Sequence, residues 1–181
     1  MSAPPAGRGA GAVRAARPRT AVPKLVLIVV VLALAVAGCG APAATPKAVA
    51  DTLAFTGKTI DGAAFDAATL AGQPALLWFW APWCATCASE AQSVNDLRTE
   101  YGDRLAILGI AGMGNNADMH QFVADLEVQN VNLDDQAGVV WKKFGITQQS
   151  TYVLIDRAGA VRTTGYLDDL QLTQQVKSLV G

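Results

Sequence analysis

The amino-acid sequence predicts an α/β domain in which a central mixed β-sheet is flanked by helices. Two segments, residues 75–80 and 105–111, are continuous apolar runs, as strands buried on both faces are. Each is followed by a segment whose apolar residues recur every three or four positions, the spacing of an amphipathic helix. A hairpin and a last helix complete the order strand, helix, strand, helix, hairpin, helix, which favours a sheet with helices on both faces.

The first half of this domain contains three predicted elements. Residues 52–65 predict an extra N-terminal hairpin with a turn at 60–62. The strand 75–80 comes next, and the helix after it ends at Gly102. The apolar stripe of this helix consists of Ala88, Ala91, Val94, Leu97 and Tyr101.

The second half begins with the strand 105–111 and a loop. The helix after this loop has an apolar face made of Met119, Phe122, Val123 and Leu126. Residues 152–163 predict a hairpin around a central turn. The last helix spans residues 169–179, and Asp168 with Gln171 forms the pattern of a capping box at its start.

The first 38 residues have the composition of a secretory signal peptide. A basic region without acidic residues precedes an unbroken apolar stretch over residues 25–37. The basic residues are Arg8, Arg14, Arg17, Arg19 and Lys24. The apolar stretch is shorter than the roughly 20 residues that a spanning helix needs. We therefore predict that residues 1–38 are a cleaved signal peptide.

The end of this region contains a second targeting signal. Residues 36–39, Val-Ala-Gly-Cys, resemble the lipobox of bacterial lipoproteins, which implies that Cys39 is lipidated and anchors the protein to the outside of the cell membrane. The alternative is an ordinary signal peptide with a cysteine near its cleavage site. Residues 39–50, rich in Ala, Pro and Thr, are the predicted lipidated N-terminus and flexible tether. Residues 51–181 then form one domain.

The charge of the chain bears on its partners. It carries 14 Lys and Arg residues against 15 Asp and Glu residues, a formal net charge of −1. Nucleic-acid-binding domains are strongly basic. The near-balanced charge therefore argues against nucleic acid as a partner.

Cys84 and Cys87 are the residues that predict chemistry. They are separated by two residues, where the strand 75–80 gives way to a helix, and this placement predicts a redox-active dithiol. A sulfur at the first turn of a helix meets unpaired N–H groups that favour the thiolate, so Cys84 is the predicted nucleophile. Cys87 lies one turn further on the same face and is the predicted resolving thiol and disulfide partner.

Two other interpretations of this pair remain open. A structural disulfide would close a very small loop and so stabilise the fold little through chain entropy. A zinc site would need two further ligands, for which Cys39 and His120 are the remaining cysteine and histidine. Lipidation would remove Cys39 from this set, and His120 is predicted to be a polar surface residue of a helix. We therefore predict no metal.

Residues 79–87, Phe-Trp-Ala-Pro-Trp-Cys-Ala-Thr-Cys, resemble the active site of thioredoxin-fold proteins. The extra hairpin and Glu90 resemble the extracytoplasmic TlpA, ResA and DsbE branch, and the segment from Asp118 through Trp141 is similar to DsbE- and DsbF-type proteins of actinobacteria. The resemblance implies a thioredoxin-like fold and thiol-disulfide exchange with exported proteins. It also implies a membrane redox partner that resets the dithiol, and no cofactor.

Further site residues follow from the same resemblance. Pro82 would shape the turn before the dithiol and Trp83 would flank it, with packing alone as the alternative for both. Glu90 matches a glutamate that influences thiol titration in the ResA branch. Its alternative is a surface charge in the first turns of a helix.

Two positions depart from the thioredoxin pattern. Trp78 stands where thioredoxins have a buried aspartate, so no proton acceptor is predicted there. The substrate loop matches Gln149, Ser150 and Thr151, and Ser150 stands where the family has a cis-proline. A cis bond before another residue costs about 2.5–4 kcal/mol, so the loop is either trans or strained. The serine either alters reactivity and redox potential or is an inert turn residue.

The favoured function is a membrane-anchored disulfide oxidase for exported proteins. The actinobacterial resemblance, the missing aspartate and the uncharged pair Ala85 and Thr86 favour oxidation over reduction. One alternative is a reductant of apocytochrome c or of other envelope thiols. The other is a non-catalytic binding lipoprotein whose two cysteines form an inert disulfide.

Overall fold

The computed structural model describes residues 51–181. Its strands are β1 (Thr56–Lys58), β2 (Ala64–Asp66), β3 (Ala75–Trp80), β4 (Ala106–Ala111), β5 (Val131–Asp134), β6 (Thr151–Ile155) and β7 (Val161–Gly165). The α-helices that begin within this range are α1 (Ala85–Tyr101), α2 (Asn116–Asp125), α3 (Val139–Lys143) and α4 (Asp169–Val180). The predicted signal peptide (1–38) and tether (39–50) lie outside the described residues. Within residues 51–181, no helix combines the length and the apolar character needed to cross a bilayer.

The main sheet has five strands in the order β5-β4-β3-β6-β7. Its central strand β3 pairs in parallel with β4 and antiparallel with β6, and every residue of β3 is buried. Helices α1 and α2 make the crossovers between the parallel strands, whereas β6 and β7 form a hairpin. The predicted central mixed sheet is confirmed.

Apolar residues pack on both faces of this sheet. Trp78 and Trp80 of β3 belong to a buried cluster with residues of α1, α2 and α4. Leu77 and Phe79 point the other way and belong to a second cluster with Trp141 of α3. The prediction of helices on both faces is therefore confirmed, with three helices on one face and α3 on the other.

Strand β5 and helix α3 are not predicted from the sequence. In β5, the buried polar residue Asn132 stands between Val131 and Leu133, so the strand shows no apolar run. Helix α3 has five residues, and its first N–H groups are bound by the Asp135 carboxylate, at 2.9 Å each. Both elements depend on pairing and capping partners rather than on a long periodic pattern.

The extra hairpin of β1 and β2 is confirmed, and it contacts the β5 edge of the main sheet. Thr59 forms an isolated bridge with Leu133, and the Ile60 N–H donates to the Asn132 carbonyl at 2.9 Å. An uncovered edge strand presents unpaired backbone groups to other chains. The hairpin thus protects part of this edge.

A glycine in β4 leaves room for a buried hydrogen bond. The Trp80 indole N–H donates to Asn132 Oδ1 at 3.0 Å, directly across Gly109. A Cβ atom at Gly109 would overlap the Asn132 amide and lie 2.9 Å from Trp80 Nε1. Because Gly109 has no side chain, a side-chain hydrogen bond can join β3 to β5 across β4.

We expect Gly109→Ala to lower the free energy of unfolding by about 2 kcal/mol or more, because the new methyl group displaces Asn132 and leaves the Trp80 N–H unsatisfied. Urea unfolding followed by tryptophan fluorescence measures this loss. Gly57→Ala is the matched control, since its Cβ would meet Leu133 Cδ1 at an ordinary 3.4 Å. Equal losses in the two variants would contradict the explanation.

Candidate active site

The two cysteines lie at the carboxyl end of β3, where α1 begins. Cys84 is the N-cap of α1, and its sulfur accepts a hydrogen bond from the Cys87 N–H at 3.0 Å. The two residues form a disulfide, with their Cα atoms 5.3 Å apart. The helix therefore begins where the sequence predicts. An N–H group of its first turn, which has no partner within the helix, points at the sulfur of Cys84.

The two sulfur-bearing residues differ in exposure. Cys84 retains 6% of its surface, whereas Cys87 is completely buried. A thiolate can reach a disulfide only where one of the two residues is exposed. The difference in exposure favours Cys84 as the residue attacked first. The roles of Cys84 as nucleophile and Cys87 as resolving thiol stay predictions.

The loop after β4 supports the residues that precede Cys84. The indole N–H of Trp83 donates to the Met113 carbonyl at 2.6 Å. Pro82 packs so closely on Gly114 that a side chain at Gly114 would overlap the proline ring. Trp83 is nevertheless 56% exposed, so its ring is fixed beside the dithiol without being part of the core.

Glu90 is buried beneath the dithiol, on the second turn of α1. One carboxylate oxygen accepts from the Trp78 indole N–H at 2.9 Å, and the other accepts from the Ser150 hydroxyl at 2.5 Å. Only 5% of Glu90 is exposed. The alternative of a surface charge is therefore wrong.

Burial and a neighbouring charge both act on the Glu90 carboxyl group. Burial raises the pKa of Glu90 above its ordinary value of 4.5, and the hydrogen bonds from Ser150 and Trp78 oppose this shift. The nearby Asp169 carboxylate raises the pKa further. The Tyr152 hydroxyl is also buried, and it forms no hydrogen bond with the described residues. Burial raises the pKa of Tyr152 as well.

Ser150 has a backbone that proline could not adopt. Its φ is +62°, and its N–H donates to the Phe79 carbonyl at 3.0 Å. Proline has φ fixed near −65° and no N–H. Ser150 and Thr151 are buried, Gln149 is half-buried, and the role of this segment as a substrate loop stays a prediction.

The structure buries Glu90, one of the residues predicted to influence the dithiol, against Trp78. Trp78 carries no carboxylate, as predicted, but its indole N–H meets the carboxylate of Glu90. The spacing of residues along α1 could have predicted the burial of Glu90. Glu90 follows Cys87 by three residues and precedes Val94 by four, so all three lie on one face of α1.

His120 lies on the exposed side of α2. His120 Nε2 lies 2.9 Å from the Ile60 carbonyl, and its side chain is 45% exposed near Asp61. Within residues 51–181, no group of three or more His, Cys, Asp or Glu residues is placed to hold a metal ion. Cys39 lies outside the described residues, and its lipidation stays a prediction.

Residues 49–164 match the AhpC/TSA family. The soluble secreted antigen MPT53 of Mycobacterium tuberculosis and Mycobacterium bovis is 39% identical over 113 residues, which are 61% of this chain and 65% of that protein. The match thus spans slightly less than two thirds of that relative. A thiol-disulfide oxidoreductase ResA of Bacillus cereus is 24% identical over 108 residues, 59% of this chain and 62% of that protein.

Solved structures extend the comparison. MTB DsbF is 38% identical with a TM-score of 0.67, and the alignment covers 71% of this chain and 97% of that chain. A secreted Mycobacterium tuberculosis disulfide oxidoreductase homologous to E. coli DsbE is 32% identical with a TM-score of 0.66, over 71% of this chain and 98% of that chain. These solved chains consist almost entirely of the aligned domain, so a domain of this kind folds alone. The chain belongs to the AhpC/TSA family, and its domain has the predicted thioredoxin-like fold of the DsbE and DsbF type.

Proposed function

We propose that this protein is a membrane-anchored, extracytoplasmic thiol-disulfide oxidoreductase that oxidises thiols of exported proteins. The observation that carries the proposal is the asymmetric pair of cysteines. Cys84 caps a helix and retains 6% of its surface, whereas Cys87 is completely buried. A binding lipoprotein with an inert disulfide would need neither a cysteine at the N-cap of a helix nor the exposure of one cysteine.

The oxidising reaction runs through two exchanges. A substrate thiolate attacks Cys84 Sγ, which breaks the Cys84–Cys87 bond and forms a mixed disulfide, and Cys87 leaves as a thiolate. A second substrate thiolate then attacks the substrate sulfur of the mixed disulfide and releases Cys84 as a thiolate. The substrate loses two electrons, and the dithiol gains them. A membrane redox partner must then reoxidise the dithiol, and no cofactor takes part.

Glu90 is the proton-transfer group in this proposal. It lies one helical turn after Cys87 on the same buried face, where no other carboxylate of α1 is buried. When Cys87 leaves, a protonated Glu90 supplies its proton. In the reverse step, the carboxylate removes that proton so that Cys87 can attack.

The stability of the reduced form supports oxidation as the direction of the reaction. The N-terminus of α1 and the Cys87 N–H stabilise a thiolate at Cys84. A dithiol whose reduced form is stabilised is a stronger oxidant. The uncharged residues Ala85 and Thr86 between the cysteines, both exposed, do not oppose this effect.

Export is supported by the N-terminal sequence and by the relatives, whereas anchoring is supported by the N-terminal sequence alone. MPT53 is described as a soluble secreted antigen, and the DsbE homologue is described as secreted. We propose that residues 1–38 direct export in the same way and that Cys39 carries the lipid anchor. Substrates are then exported proteins that reach the outer surface of the membrane.

The redox potential separates an oxidase from a reductant. For the domain 51–181 equilibrated with glutathione buffers, we expect a potential near or above about −200 mV. The thiol-disulfide ratio is read by alkylation and gel shift, and independently by tryptophan fluorescence with a Trp83→Phe control. Cys84→Ser, which cannot form the disulfide, gives the baseline. A potential near or below about −270 mV would instead support a reductant of apocytochrome c.

We expect Glu90→Gln to slow the attack of Cys87 on a mixed disulfide between Cys84 and glutathione by about tenfold or more at neutral pH. Rapid-mixing measurement of glutathione release gives this rate. Burial raises the pKa of Glu90 above 4.5, and the carboxylate accepts a proton only when ionised. The ratio of wild-type to variant rates should therefore shrink as pH falls through this raised pKa.

The matched control for this variant is Glu100→Gln. Glu100 is an exposed carboxylate at the far end of the same helix, so its replacement should leave the rate unchanged. A ratio of wild-type to Glu90→Gln rates that stays constant with pH would contradict proton transfer by Glu90, because it would indicate a merely structural effect.

Replacing Cys39 tests the anchor. In a bacterial host that processes lipoproteins, we expect the full-length protein to incorporate labelled palmitate and to partition into detergent, and Cys39→Ser to incorporate no label. Gel autoradiography and immunoblots of Triton X-114 phases measure these two properties. Cys84→Ser should be labelled like the wild type, and an unlabelled wild-type protein in the aqueous phase would establish an ordinary signal peptide.

A further inference from the structure

A groove of about 350 Å³ opens directly beside the dithiol, between the start of α1 and helix α2. Its apolar walls are formed by Pro82, Trp83, Ala88 and Phe122. Two of these residues immediately precede Cys84, and Ala88 lies one helical turn after it. A chain bound to Cys84 through a mixed disulfide would therefore lie against this groove.

The apolar part of the groove is prepared before any ligand binds. The Trp83 ring is held by its hydrogen bond to the Met113 carbonyl, although more than half of its surface is exposed. Met113 itself is 51% exposed. Fixed, exposed apolar side chains bind an extended polypeptide with little loss of side-chain entropy.

Asp118 and Asp125 give the groove its charge. They are seven residues apart on α2, which places them two turns apart on the same side of the helix. Asp118 accepts a hydrogen bond from the Asn115 amide at 2.7 Å. Within residues 51–181, neither carboxylate forms an ion pair.

The surrounding elements add to this negative charge. Residues 51–181 contain all 15 acidic residues of the chain but 8 of its 14 basic residues, a formal net charge of −7. The near-balance of the whole chain therefore conceals an acidic domain. Residues 82–97 and 105–141, which carry the dithiol and the groove, contain no lysine or arginine.

We propose that this groove binds the polypeptide segment around the reacting cysteine and selects substrates with a lysine or arginine there. This inference rests on the proposed thiol-disulfide exchange and adds a substrate preference to it. The aliphatic part of a lysine or arginine side chain packs on Phe122 and the Trp83 ring, and the cationic end lies near Asp118 and Asp125. An anionic lipid surface would be repelled by the same carboxylates.

The test compares cysteine-containing peptides that differ in one residue. Reduced peptides carry lysine, glutamine or glutamate at one of about three positions on either side of the cysteine, the reach of an extended chain past the groove. Oxidation of each peptide by the oxidised domain 51–181 gives a second-order rate. Each rate is divided by the rate with a small neutral disulfide reagent, because a neighbouring charge changes the intrinsic reactivity of the thiol.

We expect lysine peptides to react about fivefold or more faster than glutamate peptides at low salt, with a smaller ratio at high salt. Asp118→Asn and Asp125→Asn should each reduce this ratio by about twofold. Asp103→Asn is the matched control, because Asp103 is an exposed acid after the far end of α1, and it should leave the ratio unchanged.

The outcomes separate this inference from the function on which it rests. If the glutamine peptide reacts but the lysine-to-glutamate ratio is unaffected by Asp118→Asn and Asp125→Asn, the groove does not select charge. An equal reduction in Asp103→Asn would assign the preference to net charge and overturn the groove as well. If no peptide reacts, including the glutamine peptide, the proposed exchange itself fails.

Discussion

The burial of Glu90 is the constraint on which the arrangement of the site depends. An ionised carboxylate buried without partners costs several kcal/mol, so both oxygens need donors at fixed positions. Trp78 supplies one donor from the centre of the sheet, and Ser150 supplies the other from the segment before β6. Because Glu90 belongs to α1, the network fixes the first turns of that helix against the sheet. The positions of Cys84 and Cys87 follow from it.

Local patterns account for what the sequence predicts. Strand β3 is an apolar run, α1 carries a periodic stripe that ends at Gly102, and the capping box at the start of α4 is confirmed. The redox pair is equally local, since both cysteines lie within one turn of helix. The partners of Glu90 are 12 and 60 residues away in the chain, so no local pattern encodes them. Strand β5 escapes prediction for the same reason, because its identity depends on pairing with β4.

Position 150 shows how one residue couples the backbone to the site. A residue other than glycine pays about 1–2 kcal/mol for a left-handed backbone, and Ser150 adopts one at φ +62°. Its N–H and its hydroxyl are both used, by the Phe79 carbonyl and by Glu90. A proline could donate neither hydrogen bond and could not adopt this φ. Serine thus replaces the proline of the thioredoxin pattern at a position where both hydrogen bonds require a residue with donor groups.

The acidic surface and the cysteine chemistry make opposite electrostatic demands, because negative charge attracts cationic substrates but disfavours a thiolate. Distance resolves the conflict. The Cys87 N–H acts on Cys84 Sγ at 3.0 Å, inside the protein. A carboxylate at about 10 Å across water opposes a thiolate by about 0.4 kcal/mol, and salt screens this further. A cationic side chain bound in the groove instead lies beside Asp118 and Asp125 themselves. Thiolate stabilisation is thus a property of the first turn of α1, and substrate selection is a property of the groove carboxylates. Ionic strength should therefore affect the encounter with a cationic substrate far more than the redox equilibrium of the dithiol.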